Sequence, residues 1–188
     1  MERMDMGLNH TDILRAKDEA YMQRQIIQAH GQSVYTLVTK LISCKEDAEE
    51  VYQDVFIKAF GNINSFDKSK ASLRTWLCRI AYNESINYLK RKNLPLMYVD
   101  DSEMSLDSIV DEMAVFSMSQ QDEQTIKMIE QALQQLPNEE QALITMFYFD
   151  DMSIKEIAYV TGSQPSTIGS RLYRIRQKLY HIIKHIQE

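Results

Sequence analysis

The sequence predicts an all-α protein in which two small helical domains are joined by a flexible acidic linker. Three observations support this prediction: turn-forming residues are scarce, apolar residues recur at helical spacing, and one long acidic segment lacks such a stripe. Only 5 Gly and 3 Pro occur among 188 residues, about a third of average usage. Because tight hairpins and glycine-rich phosphate loops consume both residues, a helical chain is the fold class that fits.

The acidic segment divides the chain into its predicted parts. We expect an N-terminal extension over residues 1–20, a helical domain over 21–92, the linker over 93–125 and a second helical domain over 126–188. Residues 93–125 hold eight acids and no Lys or Arg. A connection of this length is unusual inside a compact domain, which favours a tether. An ordinary solvated loop is the alternative interpretation.

The charge is distributed unevenly along the chain. The net charge is −6, from 21 basic and 27 acidic residues, and as an average it disfavours nucleic-acid binding, because phosphate contacts need Lys and Arg. Residues 68–92, however, carry seven basic residues and one acid, and residues 153–188 carry six basic residues and two acids. Two basic stretches therefore flank the acidic segment.

The sequence shows no signal for export or membrane insertion. No apolar run approaches the roughly 18 residues of a membrane span, and the N-terminal residues are polar and mixed in charge. Cys44 and Cys78 fit no paired metal or redox spacing. We therefore expect a cytoplasmic protein with reduced thiols.

Residues 46–60 form a strong helical pattern, with apolar residues on one side and five acids on the other. Acids near a helix N-terminus interact favourably with the helix dipole. Five acids in nine residues exceed that need, so a docking surface for a basic partner is a second interpretation. Both interpretations remain open from the residues alone.

Residues 73–92 resume the helical period after a polar break, and combine cations and Asn side chains with nearby aromatic residues. Single-stranded DNA is bound by that mixture, because cations contact the backbone and rings stack on bases. A merely solvated basic face is the alternative that the residue types leave open.

The second domain is predicted to begin with two amphipathic helices, over residues 126–136 and 139–149, which are separated at Pro137. An S-x-x-E capping box from Ser153 to Glu156 then starts a further helix.

The remainder of this domain predicts a helix-turn-helix. Gly162 ends the capped helix, and Pro165 suits the first position of the next. In that second helix an apolar stripe faces inward, while small polar residues come first and Arg residues later on the outer side. Small side chains let a helix approach the major groove, where Arg can read guanine edges or contact phosphate. A plain helical hairpin with a basic face is the alternative.

No group of residues indicates catalysis, a metal or a cofactor. His181 and His185 are spaced i,i+4, but no third ligand is evident and the intervening residues lack the Glu of a zinc-protease helix. The sequence has no phosphate loop, nucleophile elbow or paired-carboxylate site. We expect a protein that is not an enzyme and that uses neither metal nor cofactor.

Three ordered motifs carry a resemblance to a known family. They are DAEEVYQDVFIKAF, SFDKSKASLRTWLCRIAYNESINYLKRK and LPNEEQALITMFYFDDMSIKEIAYVTGSQPSTIGSRLYRIRQKL. In this order, around an acidic segment, they resemble a bacterial RNA polymerase sigma factor of the sigma-70 family, in its compact extracytoplasmic-function (ECF) form. The resemblance covers residues 26–92 and 126–180.

The resemblance implies three contact surfaces. The helix matching residues 47–60 would dock on the coiled-coil clamp of the largest polymerase subunit, through Asp47, Glu49, Glu50, Gln53 and Asp54. The segment matching 62–83 would capture and melt the minus-ten promoter element, through Phe66, Lys68, Lys70, Arg74, Trp76, Arg79 and Asn83. The helix matching 164–178 would read the minus-thirty-five element in the major groove, through Gln164, Pro165, Ser166, Thr167, Ser170, Arg171 and Arg174.

The partners implied by the resemblance are core RNA polymerase and promoter DNA, with an anti-sigma factor as a further candidate. The chain departs from the family pattern at a few positions. Gly169 stands where Lys or Arg is usual, Gln164 and Pro165 replace a Ser-led start, and Tyr52 replaces a smaller apolar residue. A free-standing helix-turn-helix regulator and a decoy that occupies polymerase without using DNA are the alternative functions.

Overall fold

The structure, a computed structural model, describes residues 10–92 and 123–187. Every regular element in these two ranges is helical, which confirms the all-α prediction. The predicted linker lies outside the described residues as far as position 122. The α-helices are α1 (His10–Leu41), α2 (Lys45–Gly61), α3 (Leu73–Arg91), α4 (Glu123–Gln134), α5 (Asn138–Ile144), α6 (Ile154–Thr161) and α7 (Pro165–Gln187).

Helices α1, α2 and α3 pack against one another to form the first domain. Helix α3 begins at a cap in which the backbone N–H of Thr75 donates to the side chain of Ser72, a bond that satisfies one of the free amides of the first turn. Each helix turns its apolar stripe inward. The side chains that meet in this core are Val34, Leu37, Val38, Val51, Val55, Phe56, Leu77 and Ala81.

Helices α4 to α7 form the second domain. Helix α4 begins at Glu123, three residues inside the predicted linker, and α5 ends at Ile144, five residues before the predicted end. The boundaries of α6 and α7 lie where the sequence places them. Both halves of the capping box form between Ser153 and Glu156 at the start of α6. Gly162 ends α6 in the left-handed conformation, with a φ of 70°, and Pro165 is the first residue of α7. A short π-helical turn over Thr145–Phe149 follows α5. The chain therefore forms the predicted helix-turn-helix.

The two domains pack against each other, which the sequence pattern did not indicate. Helix α3 contacts α6, and α1 contacts α5. One continuous hydrophobic core contains buried side chains from both domains, including Leu77 and Cys78 of the first and Ile157 and Met146 of the second. Burying apolar surface in this way stabilises the contact by about 25 cal/mol per Å².

Tyr52, one of the departures from the family pattern, is accommodated by a glycine on the facing helix. Its ring packs edge-on against Tyr35 and Phe56. A Cβ on Gly31 of α1 would lie 2.8 Å from the Tyr52 hydroxyl oxygen, but 4.0 Å from the ring carbon that bears it. The Tyr52 hydroxyl is therefore the group that a side chain at position 31 would crowd.

This geometry predicts a coupled pair of substitutions. In a Tyr52→Phe background, Gly31→Ala should raise the free energy of unfolding by about 1 kcal/mol, because Ala favours the helix and no longer meets the hydroxyl. With Tyr52 present, the same substitution should give no gain or a loss, because the side chains must shift. Denaturant titration of the four variants measures the coupling. Equal effects in both backgrounds would show that the contact does not constrain position 31.

Candidate nucleic-acid interface

The acidic face predicted for polymerase docking lies on α2, on the side opposite its buried stripe. Glu49, Glu50 and Gln53 are exposed, and Asp47 and Asp54 are partly exposed. The neighbouring hydroxyl of Tyr88, and then the ammonium of Lys92, hold the pKa of Asp47 below its usual value. The face therefore carries negative charge at neutral pH.

The loop between α2 and α3 contains the first group of predicted minus-ten residues. Lys68 and Lys70 are exposed, and the half-buried ring of Phe66 lies 5.5 Å from the ring of Trp76. Asp67 shapes the loop by accepting hydrogen bonds from the hydroxyl and the backbone N–H of Ser69, which lower the pKa of its carboxyl group. The loop presents two cations and part of one aromatic side chain to solvent.

Helix α3 carries the second group, and here the side chains are not equally available. Trp76 is only 9% exposed and belongs to the hydrophobic core, and the half-buried Phe66 packs against that core. Arg74 and Arg79 are half-buried, and Asn83 is exposed. Of the seven predicted residues, Lys68, Lys70 and Asn83 are therefore exposed, Phe66, Arg74 and Arg79 are half-buried, and Trp76 is buried.

The helix-turn-helix presents the start of α7 to solvent. Gln164, Pro165 and Ser166 are exposed, while Thr167 and Ser170 are partly exposed. Ser166, Thr167 and Ser170 are small side chains near the helix N-terminus, as is typical of a recognition helix.

Arg171 differs from the rest of the predicted recognition residues, because it is only 9% exposed. Its Nη2 atom donates to Oε2 of Glu139 over 3.0 Å, and the other oxygen of this carboxylate accepts from the Tyr82 hydroxyl over 2.9 Å. Glu139 is itself only 7% exposed. In this structure Arg171 is therefore part of the core of the second domain, whereas Arg174 is half-buried on the same helix.

Four residues that the sequence did not single out for this surface complete it. Asp150, Glu156, Tyr159 and Glu139 of the second domain contact α3 of the first. Each contact joins residues more than 50 positions apart in the sequence. Local periodicity carries no information about such pairs, so no sequence signal could have found them.

Two titratable groups near α3, the thiol of Cys78 and the imidazole of His30, have pKa values shifted toward their neutral forms. Burial, and then the nearby Asp150 carboxylate, raise the pKa of the Cys78 thiol to about 12. Burial, followed by the charge of Arg74, lowers the pKa of His30. Within the described ranges no three metal-binding side chains are grouped to hold an ion. No described helix is long and apolar enough to cross a membrane.

A helix-turn-helix, a cationic loop and an acidic helix occur together in this chain, and the combination is typical of an all-helical, DNA-binding transcription protein. Residues 26–94 match the family model of Sigma-70 region 2, and residues 126–179 match that of Sigma-70, region 4. The chain belongs to the sigma-70 family of RNA polymerase sigma factors, in the ECF group. The resemblance carried by the three sequence motifs is thereby confirmed, and a free-standing regulator is not favoured.

Relatives match over most of both chains. The chain is 32% identical to the ECF RNA polymerase sigma factor RpoE of Cereibacter sphaeroides, over 87% of its own length and 88% of the relative. It is 28% identical to the ECF RNA polymerase sigma factor SigW of Bacillus subtilis, over 82% and 84% of the two chains.

Two solved structures share the fold. The sigma factor RpoE from Bartonella quintana, in complex with the anti-sigma factor NepR, gives a TM-score of 0.61 at 20% identity, over 86% of this chain and 96% of that one. CnrH in complex with the cytosolic domain of CnrY gives 0.59 at 20% identity, over 92% and 96%.

The buried pair between Arg171 and Glu139 predicts a loss of stability when one partner is removed. Arg171→Met should lower the free energy of unfolding by about 3–5 kcal/mol, because Glu139 keeps its buried charge without its cation. Adding Glu139→Gln should recover much of that loss. Arg176→Met, on the same helix and half-buried, is the matched control in denaturant titration. Equal stability of the Arg171→Met and Arg176→Met variants would contradict the structural role of Arg171.

Proposed function

We propose that this sigma factor divides its work among three surfaces. The acidic face of α2 docks on core RNA polymerase, the loop before α3 and α3 itself capture and melt the minus-ten element, and the start of α7 reads the minus-thirty-five element. The observation that supports this division most strongly is the exposed acidic face on α2, which is far larger than helix capping requires.

The docking surface consists of Asp47, Glu49, Glu50, Gln53 and Asp54. Within this surface, and among the described residues, Asp47 and Glu49 are the two acids that form ion pairs. The Asp47 carboxylate lies 4.0 Å from Nζ of Lys92, and the Glu49 carboxylate lies 3.8 Å from Nζ of Lys45; both pairs are solvent-accessible. Exposed pairs of this kind contribute at most about 1 kcal/mol. They can therefore exchange for cations of a basic partner at little cost.

The minus-ten surface pairs cations with a ring at the edge of the loop. Lys68, Lys70, Arg74 and Arg79 would contact the phosphate backbone, Asn83 would form hydrogen bonds, and Phe66 would contact bases with Trp76 behind it. This combination suits a single strand, since bases released from the duplex expose their faces.

The minus-thirty-five surface lies at the start of α7. Gln164, Pro165, Ser166, Thr167 and Ser170 would approach the groove, and Arg174 would contact a base edge or phosphate. Arg171 would contribute by fixing α7 on α5 through Glu139. Gly169 stands where a cation is more usual. It is buried in the structure, so its position is not part of the exposed surface.

The proposal also covers partners and location. Promoter specificity requires no catalytic group or cofactor of the chain itself, since core polymerase performs the chemistry. The sigma factor RpoE from Bartonella quintana, which shares the fold, is in complex with the anti-sigma factor NepR, and we include an anti-sigma factor among the partners. Its place of action would be the cytoplasm, where polymerase and promoters are.

Transcription in a purified system tests this function. Core polymerase with the wild-type chain should initiate at a small set of positions on genomic DNA that core polymerase alone does not use. Sequencing the 5′ ends of the transcripts should show common minus-ten and minus-thirty-five elements. A transcript pattern identical to that of core polymerase alone would contradict the proposal.

The docking surface is tested by removing its charge. Replacing Asp47 and Asp54 by Asn, and Glu49 and Glu50 by Gln, should weaken binding to core polymerase and flatten its dependence on salt, because fewer charge pairs form. The control neutralises four other exposed acids, at positions 18, 19, 130 and 151, and so changes the net charge equally. Fluorescence-detected titration at several salt concentrations measures both. An equal loss in the control would assign the effect to net charge alone.

A further inference from the structure

A cleft lies between α1 and α2, beside the acidic docking surface. Its volume is about 470 Å³, and its walls include Gln32 and Tyr35 of α1 and Glu49, Tyr52 and Gln53 of α2. Glu49 and Gln53 also belong to the docking surface, so the cleft and that surface are continuous. The volume lies in the range of sites that hold a small ligand, which is ample for one long side chain of a partner.

The lack of a side chain at Gly31 makes room for an aromatic wall. Gly31 lines the cleft, and an added Cβ there would lie 2.8 Å from the Tyr52 hydroxyl oxygen. The Tyr52 ring packs edge-on against Tyr35, with ring centres 5.6 Å apart and planes at 86°. Both rings are half-buried and line the cleft. Because Tyr52 replaces a smaller apolar residue of the family pattern, this wall is a feature of this chain.

The polar groups at the cleft suit a cation. Glu49 is exposed, and its contact with Lys45 at 3.8 Å is an exposed pair that exchanges easily. The Gln32 amide nitrogen donates to the Thr36 hydroxyl over 3.2 Å, which leaves the amide oxygen to accept a bond. Burial raises the pKa of the Tyr52 hydroxyl, so this group is neutral at physiological pH. Among the described residues that line the cleft there is no Lys or Arg, so a partner must supply the cation.

A guanidinium matches this combination of groups better than other ligands do. It is planar and weakly hydrated, so it stacks on aromatic rings while its N–H groups donate to carboxylate and amide oxygens. An ammonium is a strongly hydrated point charge and gains less from a ring. An anion would meet the like charges of Glu49, Glu50 and Asp54.

We propose that the cleft between α1 and α2 is a socket for one arginine side chain of core RNA polymerase, whose guanidinium stacks on Tyr52 and Tyr35 and pairs with Glu49. The inference rests on the proposed function, which brings core polymerase to the adjoining docking surface. It adds α1 to the docking interface and gives Tyr52 a role in recognising the partner.

Two replacements of Tyr52 test the socket at constant charge. Tyr52→Leu should weaken binding to core polymerase about tenfold, because the guanidinium loses its ring. Tyr52→Phe keeps the ring and should bind several-fold more tightly than Tyr52→Leu. Tyr21→Leu removes an exposed ring of α1 outside the cleft and should match wild type. Fluorescence-detected titration measures the affinities, and equal binding by the Leu and Phe variants of Tyr52 would overturn the socket.

A guanidinium supplied by the chain itself gives a second test, which decides the matter should Tyr52→Leu not fold. Gln32 is exposed at the edge of the cleft, so Gln32→Arg leaves the core intact. Its side chain should compete for the socket and weaken binding to core polymerase about tenfold, at high salt as well as low. Gln25→Arg adds the same charge at an exposed position of α1 outside the cleft and should lose little. Equal losses in both variants would assign the effect to net charge and overturn the socket.

Photo-crosslinking identifies the occupant. With p-benzoylphenylalanine in place of Gln28, which also lines the cleft, the attached polymerase peptide should contain an arginine, as determined by mass spectrometry. Replacing that arginine by Lys in core polymerase should weaken binding of the wild-type chain, but it should weaken binding of Tyr52→Leu much less, since the two residues share one interaction. A peptide without arginine, or fully additive losses, would overturn the proposal.

The outcomes separate the socket from the proposed function. Should neutralising the docking surface weaken binding while the Tyr52 and Gln32 variants match their controls, the docking surface stands and the socket is wrong. Should the wild-type chain direct no promoter-specific transcription, the proposed function is wrong, and the affinities of the variants for core polymerase still decide the socket.

Discussion

The packing of α3 between its own domain and α6 is the contact on which the rest of the structure depends. One side of this helix completes the core of the first domain, through Leu77 and Ala81. Another side meets the second domain through Arg74 and Arg79. The exposed surface that remains on α3 lies mainly toward its C-terminal half, at Asn83, Asn87, Lys90 and Arg91. Arg74 and Arg79, the two cations of α3 that are proposed to contact the minus-ten element, are therefore already engaged by the second domain.

The same constraint explains how an acidic chain can act on DNA. Its net charge is −6, yet the cations are concentrated on the loop, on α3 and on the helix-turn-helix. Several of the acids sit opposite those cations, as Asp150 does for Arg74 and Glu139 for Arg171. Buried pairs of this type add little net stability compared with apolar contacts, but they fix which surfaces meet. In this chain Asp150, Glu156 and Glu139 accept hydrogen bonds from α3, and these bonds contribute to how the two domains pack.

Features that depend on neighbouring residues could be predicted from the sequence. The capping box at Ser153, the left-handed Gly162 and the N-terminal Pro165 of α7 each depend on a few residues in a row, and all lie where predicted. The apolar stripes likewise gave the helices and the all-α class. The residues of the three functional surfaces remain predictions, which the structure describes but does not test.

Features that depend on distant pairs could not be predicted. Arg171 has the spacing of an outward-facing recognition residue, but its helix turns it toward Glu139, 32 positions away. Arg74 finds Asp150 across 76 positions. Periodicity shows that a side chain lies off the apolar stripe. It does not show whether that side chain faces solvent or a buried carboxylate of another helix. The pairing of Gly31 with Tyr52 was hidden for the same reason.

Energy transfer between one fluorophore on each domain would test most directly whether the two domains pack against each other. Cys44 is exposed and lies next to Ser43, which contacts Asn138 of the second domain, while Cys78 is buried with a pKa of about 12 and should resist labelling. A second cysteine introduced by Gln131→Cys on α4 completes the pair. The structure predicts high transfer efficiency in the native free chain and a clear fall when denaturant unfolds it. Low efficiency in the native free chain would contradict the packing of α3 against the second domain.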